Sequence, residues 1–135
     1  MMNRPHQSIS PRLTLLLILL PLLGTIVILR LYLHLVRVQH IYPAGFLIHH
    51  LFTGVLLIIP AAFVIAFGTI RKSTGISARI VLGIGSGLVL DEITFLVMTK
   101  ASDADYLSPV SWFGSISFTV LAVILLWTLY RRSGP

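Results

Sequence analysis

The stretch Ile80–Thr99, IVLGIGSGLVLDEITFLVMT, decides how the rest of the chain is read. It is long and apolar enough to cross a bilayer core, which takes about 20 residues in a helix. Yet it carries two adjacent carboxylates, Asp91 and Glu92. An ionised side chain near mid-bilayer costs about 2.5–3.5 kcal/mol on insertion scales, so such groups pair or line a wet cavity. A spanning helix here therefore requires basic or hydrogen-bonding partners at the same depth on other helices. The competing reading, a phosphate-binding glycine loop, lacks its strand–turn–helix setting. The glycines read instead as small residues that let helices approach closely.

Composition agrees with lipid as the main solvent. Of 135 residues, 56% are hydrophobic and only 10% charged, and the mean hydropathy is +0.97. A soluble domain carries about 25% charged residues. Three further apolar segments are long enough to span: 13–36, 44–70 and 109–130, beside 80–99. The expected fold is an all-α integral membrane bundle of four transmembrane helices, a single multi-pass domain over 1–135. RKSTGISAR (Arg71–Arg79) and KASDADYLS (Lys100–Ser108) read as polar loops, and Pro43 suits the entry to the second span. The first apolar run exceeds the 7–15 residues of a signal-peptide core and is followed by Arg30, His34 and Arg37, so it reads as an uncleaved span. With no Cys, disulfides, thiolate metal sites and cysteine nucleophiles are excluded.

The net charge of +6 is a topology signal before it is a nucleic-acid signal. With four spans, Arg4, Arg12, Arg71, Lys72, Arg79, Arg131 and Arg132 share one side. The other side receives Arg30, Arg37 and Lys100. Seven basic residues against three, out of ten, put both termini in the cytoplasm. Tyr32 and Tyr42 at one boundary, with Trp127 and Tyr130 at the other, suit interfacial anchoring. The expected location is the cell membrane, as a multi-pass protein of a bacterial plasma membrane. The lipid bilayer is the main partner, nucleic acid is not one, and a homo-oligomer or a membrane-protein partner stays open.

These directions bring distant residues to one depth. Asp91 and Glu92 lie about 10–12 Å below the outer end of the third span, at 1.5 Å per residue. His49 and His50 lie about 8–9 Å below the same surface in the second. Arg30, His34 and Arg37, at i, i+4 and i+7, share a face of the first. The candidate polar site is thus His49, His50, Asp91, Glu92, Arg30 and His34, with either carboxylate free to pair with histidine or with Arg30. Asp91 follows Gly83 and Gly87 at intervals of four, and His50 with Gly54 repeats that spacing; Gly54, Gly83 and Gly87 are the expected helix-packing positions. Glu92 is rotated by about 100° from Asp91 and need not share its role.

Imidazole and carboxylate suit zinc or non-haem iron, with His50 and Asp91 as candidate ligands. Adjacent histidines diverge by about 100°, however, which is not the i, i+4 spacing of a two-ligand helix. A buried ion pair that fixes helix register competes with a metal, proton or ligand site. His34 with His50 is a weaker candidate bis-imidazole haem pair, and the cofactor is left unknown. Ser111 and Ser115 share a face and read as interhelical hydrogen-bonding residues; Ser117 reads likewise. His6 and His40, and the acidic loop of Asp103, Asp105 and Tyr106, read as solvated.

The H-H pair entering the second span, followed by G-x-G-x-G-L-x-L-D-E and an acidic loop with D-Y, resembles a family of small four-helix membrane proteins of uncharacterised function. The likeness runs from about His49 to Ser111, and its most specific part is Gly83, Gly85, Gly87, Leu88, Asp91 and Glu92. It implies the four-span fold and the same polar layer, and brings no substrate or cofactor. Membrane hydrolases of the ceramidase-like group are a looser comparison, since this chain lacks their paired H-x-x-x-H. The functional expectation is an accessory or small-ligand-binding membrane protein. The alternatives are a membrane-embedded enzyme on a lipid-like substrate, metal-dependent or not, and a proton or ion carrier.

Overall fold

A computed structural model describes residues 9–36, 49–67, 71–100 and 103–133. They form α1 (Pro11–Leu35), α2 (His50–Phe67), α3 (Lys72–Met98), the single turn α4 (Asp103–Tyr106) and α5 (Pro109–Arg132). The fold is all-helical, and α1, α2, α3 and α5 are each long and apolar enough to span a membrane. The expected entry to the second span at 44–48 and its end at 68–70 lie outside the described residues, as do His6, Arg37, His40 and Tyr42.

Local chemistry sets the helix starts. Ser10 accepts from the Leu13 N–H at 3.3 Å, and Pro11 follows at the first helical position. Ser108 and Pro109 repeat the device for α5, with Ser108 Oγ accepting from Ser111 N at 3.3 Å. The hydroxyl satisfies an N–H that the helix cannot, and proline has no N–H to lose there. Arg131 and Arg132 close α5 at the end where the helix dipole favours cations.

Two stretches read as loops are partly helical. The third helix begins at Lys72 and not near Ile80. Nothing in Lys72–Arg79 breaks a helix as proline does, and tertiary contacts hold it: Ala78 is buried, and Arg79 donates to Thr14 Oγ1 of α1 at 3.2 Å. Within Lys100–Ser108, Asp103–Tyr106 forms the turn α4.

The arrangement is centred on α3. Helix α1 runs parallel to it, with Arg79, Gly83 and Gly87 against Thr14, Ile18 and Leu22 in turn. Helices α2 and α5 run antiparallel: Gly85 meets Gly54, and Thr94 meets Gly114. Among the described residues α1 also touches α5, whereas α2 packs on α3 alone. The buried residues of α3 accordingly face several directions, from Ala78 through Leu88 to Phe95. The other long helices turn Leu20, Val27, Ile28, Phe63, Leu121 and many similar side chains outward.

Glycine allows these approaches. A Cβ at Gly85 would stand 2.8 Å from the Gly54 carbonyl oxygen, and one at Gly54 2.6 Å from that of Gly85. At Gly87 it would meet the Leu22 carbonyl at 2.7 Å, and at Gly83 it would collide with that of Ile18. Backbone cannot retreat as a flexible side chain does, so a methyl group must push whole helices apart. Gly85→Ala should therefore destabilise by about 1–3 kcal/mol, the usual range for overpacking. Gly24, with nothing within 4 Å of its added Cβ, supplies the control: Gly24→Ala should be neutral or stabilising by up to about 1 kcal/mol through helix propensity. Thermal unfolding of both variants in detergent tests the contrast.

Candidate functional site

Asp91 and Glu92 leave α3 on different sides and enter different networks. Asp91 is 1% exposed and faces Arg30, itself 3% exposed, on α1. Arg30 Nε donates to Asp91 Oδ1 at 2.5 Å, and Nη2 donates to the Asp91 carbonyl at 3.0 Å. Nη1 donates to the Tyr106 carbonyl at 2.9 Å and Nη2 to Ser111 Oγ at 3.1 Å. The second oxygen of Asp91 accepts from the Tyr106 hydroxyl, and Ser115 Oγ donates to Oδ1 at 3.3 Å. Four elements, α1, α3, α4 and α5, thus meet on one ion pair.

The pair is well compensated. Two charges removed from water are tolerated only when geometry and further hydrogen bonds serve both partners. Here the cation and anion neutralise each other, and the guanidinium also lies over the Tyr106 ring at 4.5 Å and the Trp112 ring at 4.9 Å. Both ring faces attract a desolvated cation. Burial first, and then the neighbouring Asp91 carboxylate, push the Tyr106 phenol well above its ordinary pKa. It therefore remains protonated and serves as a donor.

Glu92 turns to the start of α2. His49 Nδ1 donates to Oε1 at 2.8 Å, and the Leu51 backbone N–H donates to Oε2 at 2.6 Å. His50 Nδ1 stands 3.8 Å from Oε2, within ion-pairing range but beyond a hydrogen bond. Glu92 is thus an N-terminal cap delivered from another helix, satisfying an N–H at the positive end of the α2 dipole. The carboxylate is 3% exposed and the two histidine side chains are 20% and 44% exposed, so this cluster, unlike the first, reaches the surface. Phe95 lies between the networks, edge-on to Tyr106 at 5.3 Å and tilted against His49 at 6.3 Å.

The expected site is therefore divided. Arg30 takes Asp91, while His49 and His50 take Glu92. His34 lies on an exposed part of α1 and enters neither network among the described residues. His50 and Asp91, the candidate metal ligands, belong to different networks. Among the described residues no three His, Asp or Glu side chains form a metal-ligand set. Gly83, Gly87 and Gly54 all sit at close approaches, with Gly54 opposite Gly85. Ser111 and Ser115 form interhelical hydrogen bonds, whereas Ser117 is exposed. Tyr106, read as a loop residue, is 6% exposed and central. The available signal was an aromatic hydroxyl in a short polar connection, just before a span with serines at i and i+4. Thr94 fills the notch at Gly114, and its Oγ1 has no hydrogen-bond partner among the described residues.

Comparison with family models, with curated proteins and with solved structures gives no match to this chain.

Removing one partner of a buried pair strands the other. Asp91→Ala should cost about 3–5 kcal/mol, since it leaves Arg30 without its counter-ion. Asp91→Asn should cost less, because the amide still accepts and donates hydrogen bonds. Tyr106→Phe keeps the ring on Arg30 and deletes only the donor to Asp91, for about 1.5–3 kcal/mol, the range for hydrogen bonds to charged groups. Thermal unfolding in detergent ranks the three; wild-type stability for Asp91→Ala would remove the structural account of the pair.

Proposed function

We propose that this chain is a non-enzymatic, multi-pass integral membrane protein of a bacterial plasma membrane, with both termini in the cytoplasm. In this reading it acts as an accessory or small-ligand-binding protein, and the buried Arg30–Asp91 network clamps its helices. Four long apolar helices and the distribution of basic residues support the membrane placement. The observation that carries the clamp is the closure of the pair: Asp91 is 1% exposed, and its carboxylate oxygens are occupied by Arg30, Tyr106 and Ser115. A group so enclosed suits holding α1, α3, α4 and α5 in register better than attacking a substrate. Kinship with the small four-helix family that the glycine-rich D-E core resembles is part of the same proposal.

A second reading draws on the other network. His49 and His50 connect the buried Glu92 carboxylate to the surface, and imidazole is the side chain that exchanges protons near neutral pH. Proton or small-cation binding there is the specific form that a ligand-binding role takes.

Reporter fusions after Ile70 and after Lys100 should lie on opposite sides of the membrane, the first cytoplasmic; the same side for both would refute the topology. Proton uptake by reconstituted vesicles separates the two functional readings. A clamp protein leaves uptake at the background of empty vesicles. A proton-binding carrier raises it in a manner abolished by Glu92→Gln, whose amide still caps Leu51.

A further inference from the structure

The charges of this chain are segregated along α3. Its four side-chain carboxylates, Asp91, Glu92, Asp103 and Asp105, all belong to the C-terminal end of α3 or to α4. The opposite end gathers Arg12 at the start of α1, Arg71, Lys72 and Arg79 at the start of α3, and Arg131 and Arg132 at the end of α5. These residues share an end because α1 runs parallel and α5 antiparallel to α3. All but Arg79 are exposed, and no carboxylate side chain is available there to neutralise them.

Arg79 differs from the rest. It is half-buried, with Nε donating to Thr14 Oγ1 at 3.2 Å and Nη1 to the Gly75 carbonyl at 2.9 Å. Those bonds fix the plane of the guanidinium, and none of the described hydrogen bonds uses Nη2. An oriented guanidinium presents paired donors suited to phosphate oxygens, and orienting it in advance reduces what binding must order. Its depth also fits. The 27 residues of α3 extend about 40 Å at 1.5 Å per residue, against a hydrocarbon core of about 30 Å. The polar excess is the segment Lys72–Arg79, so Ile80 begins the part that lies among acyl chains and Arg79 stands at the phosphate level.

We propose that this end binds anionic phospholipid headgroups, with Arg79 as the oriented phosphate ligand and Arg12, Arg71, Lys72, Arg131 and Arg132 supplying the surrounding field. The proposal rests on the membrane placement above. A cytoplasmic leaflet rich in anionic lipid supplies the missing negative charge, and each juxtamembrane cation near such a surface contributes measurably to attraction. The segregation of carboxylates keeps this end free of competing side-chain acids.

The test begins with alkaline carbonate washing of membranes that contain the chain. Release into the wash would overturn the membrane placement and this proposal together. For carbonate-resistant protein, phosphatidylglycerol is titrated into phosphatidylcholine–detergent mixed micelles while Tm is followed. Wild type should gain thermal stability with phosphatidylglycerol and not with phosphatidylcholine, and the gain should shrink in 1 M salt, where the Debye length falls to about 3 Å. Arg79→Gln should raise the half-saturating anionic fraction by about fivefold or more. Should Arg79→Gln fail to fold, the exposed pair Arg12→Gln with Lys72→Gln provides the same readout. Equal responses to the two lipids, or wild-type titration by the variant measured, would overturn the proposal with the membrane placement intact. Stabilisation by inorganic phosphate in phosphatidylcholine equal to that by phosphatidylglycerol would overturn the lipid assignment in favour of a free anion.

Discussion

A buried guanidinium has no acceptable position without a counter-ion and hydrogen-bond acceptors, and that constraint organises this fold. Arg30 on α1 draws Asp91 on α3 to 2.5 Å and then recruits the Tyr106 carbonyl and Ser111 Oγ from elements more than 70 residues away. Its donors are satisfied only if α4 brings the Tyr106 carbonyl to Arg30 and α5 starts where Ser111 faces inward. In lipid, hydrophobicity alone does not select one helix arrangement, because acyl chains solvate leucine as well as a neighbouring helix does. The pair supplies that selection. Its net neutrality and two flanking aromatic rings make its burial tolerable.

Helical periodicity explains how one short motif serves two neighbours. At 100° per residue, Gly83, Gly87 and Asp91 advance by about 40° per step and stay on one face. Gly85 lies about 200° from Gly83, and Glu92, seven residues further, returns to within about 20° of Gly85. The first face meets α1 through Ile18, Leu22 and Arg30, and the second meets α2 through Gly54, His49 and Leu51. In both cases glycine brings the backbones close and a carboxylate beyond it fastens the end.

This logic marks what could be read from the sequence. The apolar lengths disclosed four helices suited to lipid, and helix direction brought Arg30, His49, His50, Asp91 and Glu92 to a common depth. Depth along a helix follows from counting residues. Azimuth around it depends on which neighbour packs where, so the pairing of each carboxylate was beyond counting. Gly54 was legible as a packing position and Gly85 as part of the motif, but their pairing with each other was not. Tyr106 was missed because it lies in a polar connection whose four-residue helix has no periodicity to detect. The early start of α3 was missed for a related reason. Lys72–Arg79 is polar, and its helicity is held by contacts with α1 such as Arg79 to Thr14.

The two networks also divide the bundle mechanically. Helices α1, α3 and α5 touch one another and share the enclosed pair, whereas α2 has α3 as its sole packing neighbour among the described residues. What holds the start of α2 is Glu92, through Leu51 N–H and His49, at a site the histidines open to the surface. Local opening is easiest where few contacts must break and polar groups can exchange protein partners for water. By the second criterion the junction of α2 with Glu92 is the less firmly held part, and the enclosed Arg30 cluster the more firmly held. In the proposed ligand-binding reading, a proton or ligand taken up at the histidines would act first on the start of α2, whose only packing neighbour among the described residues is α3.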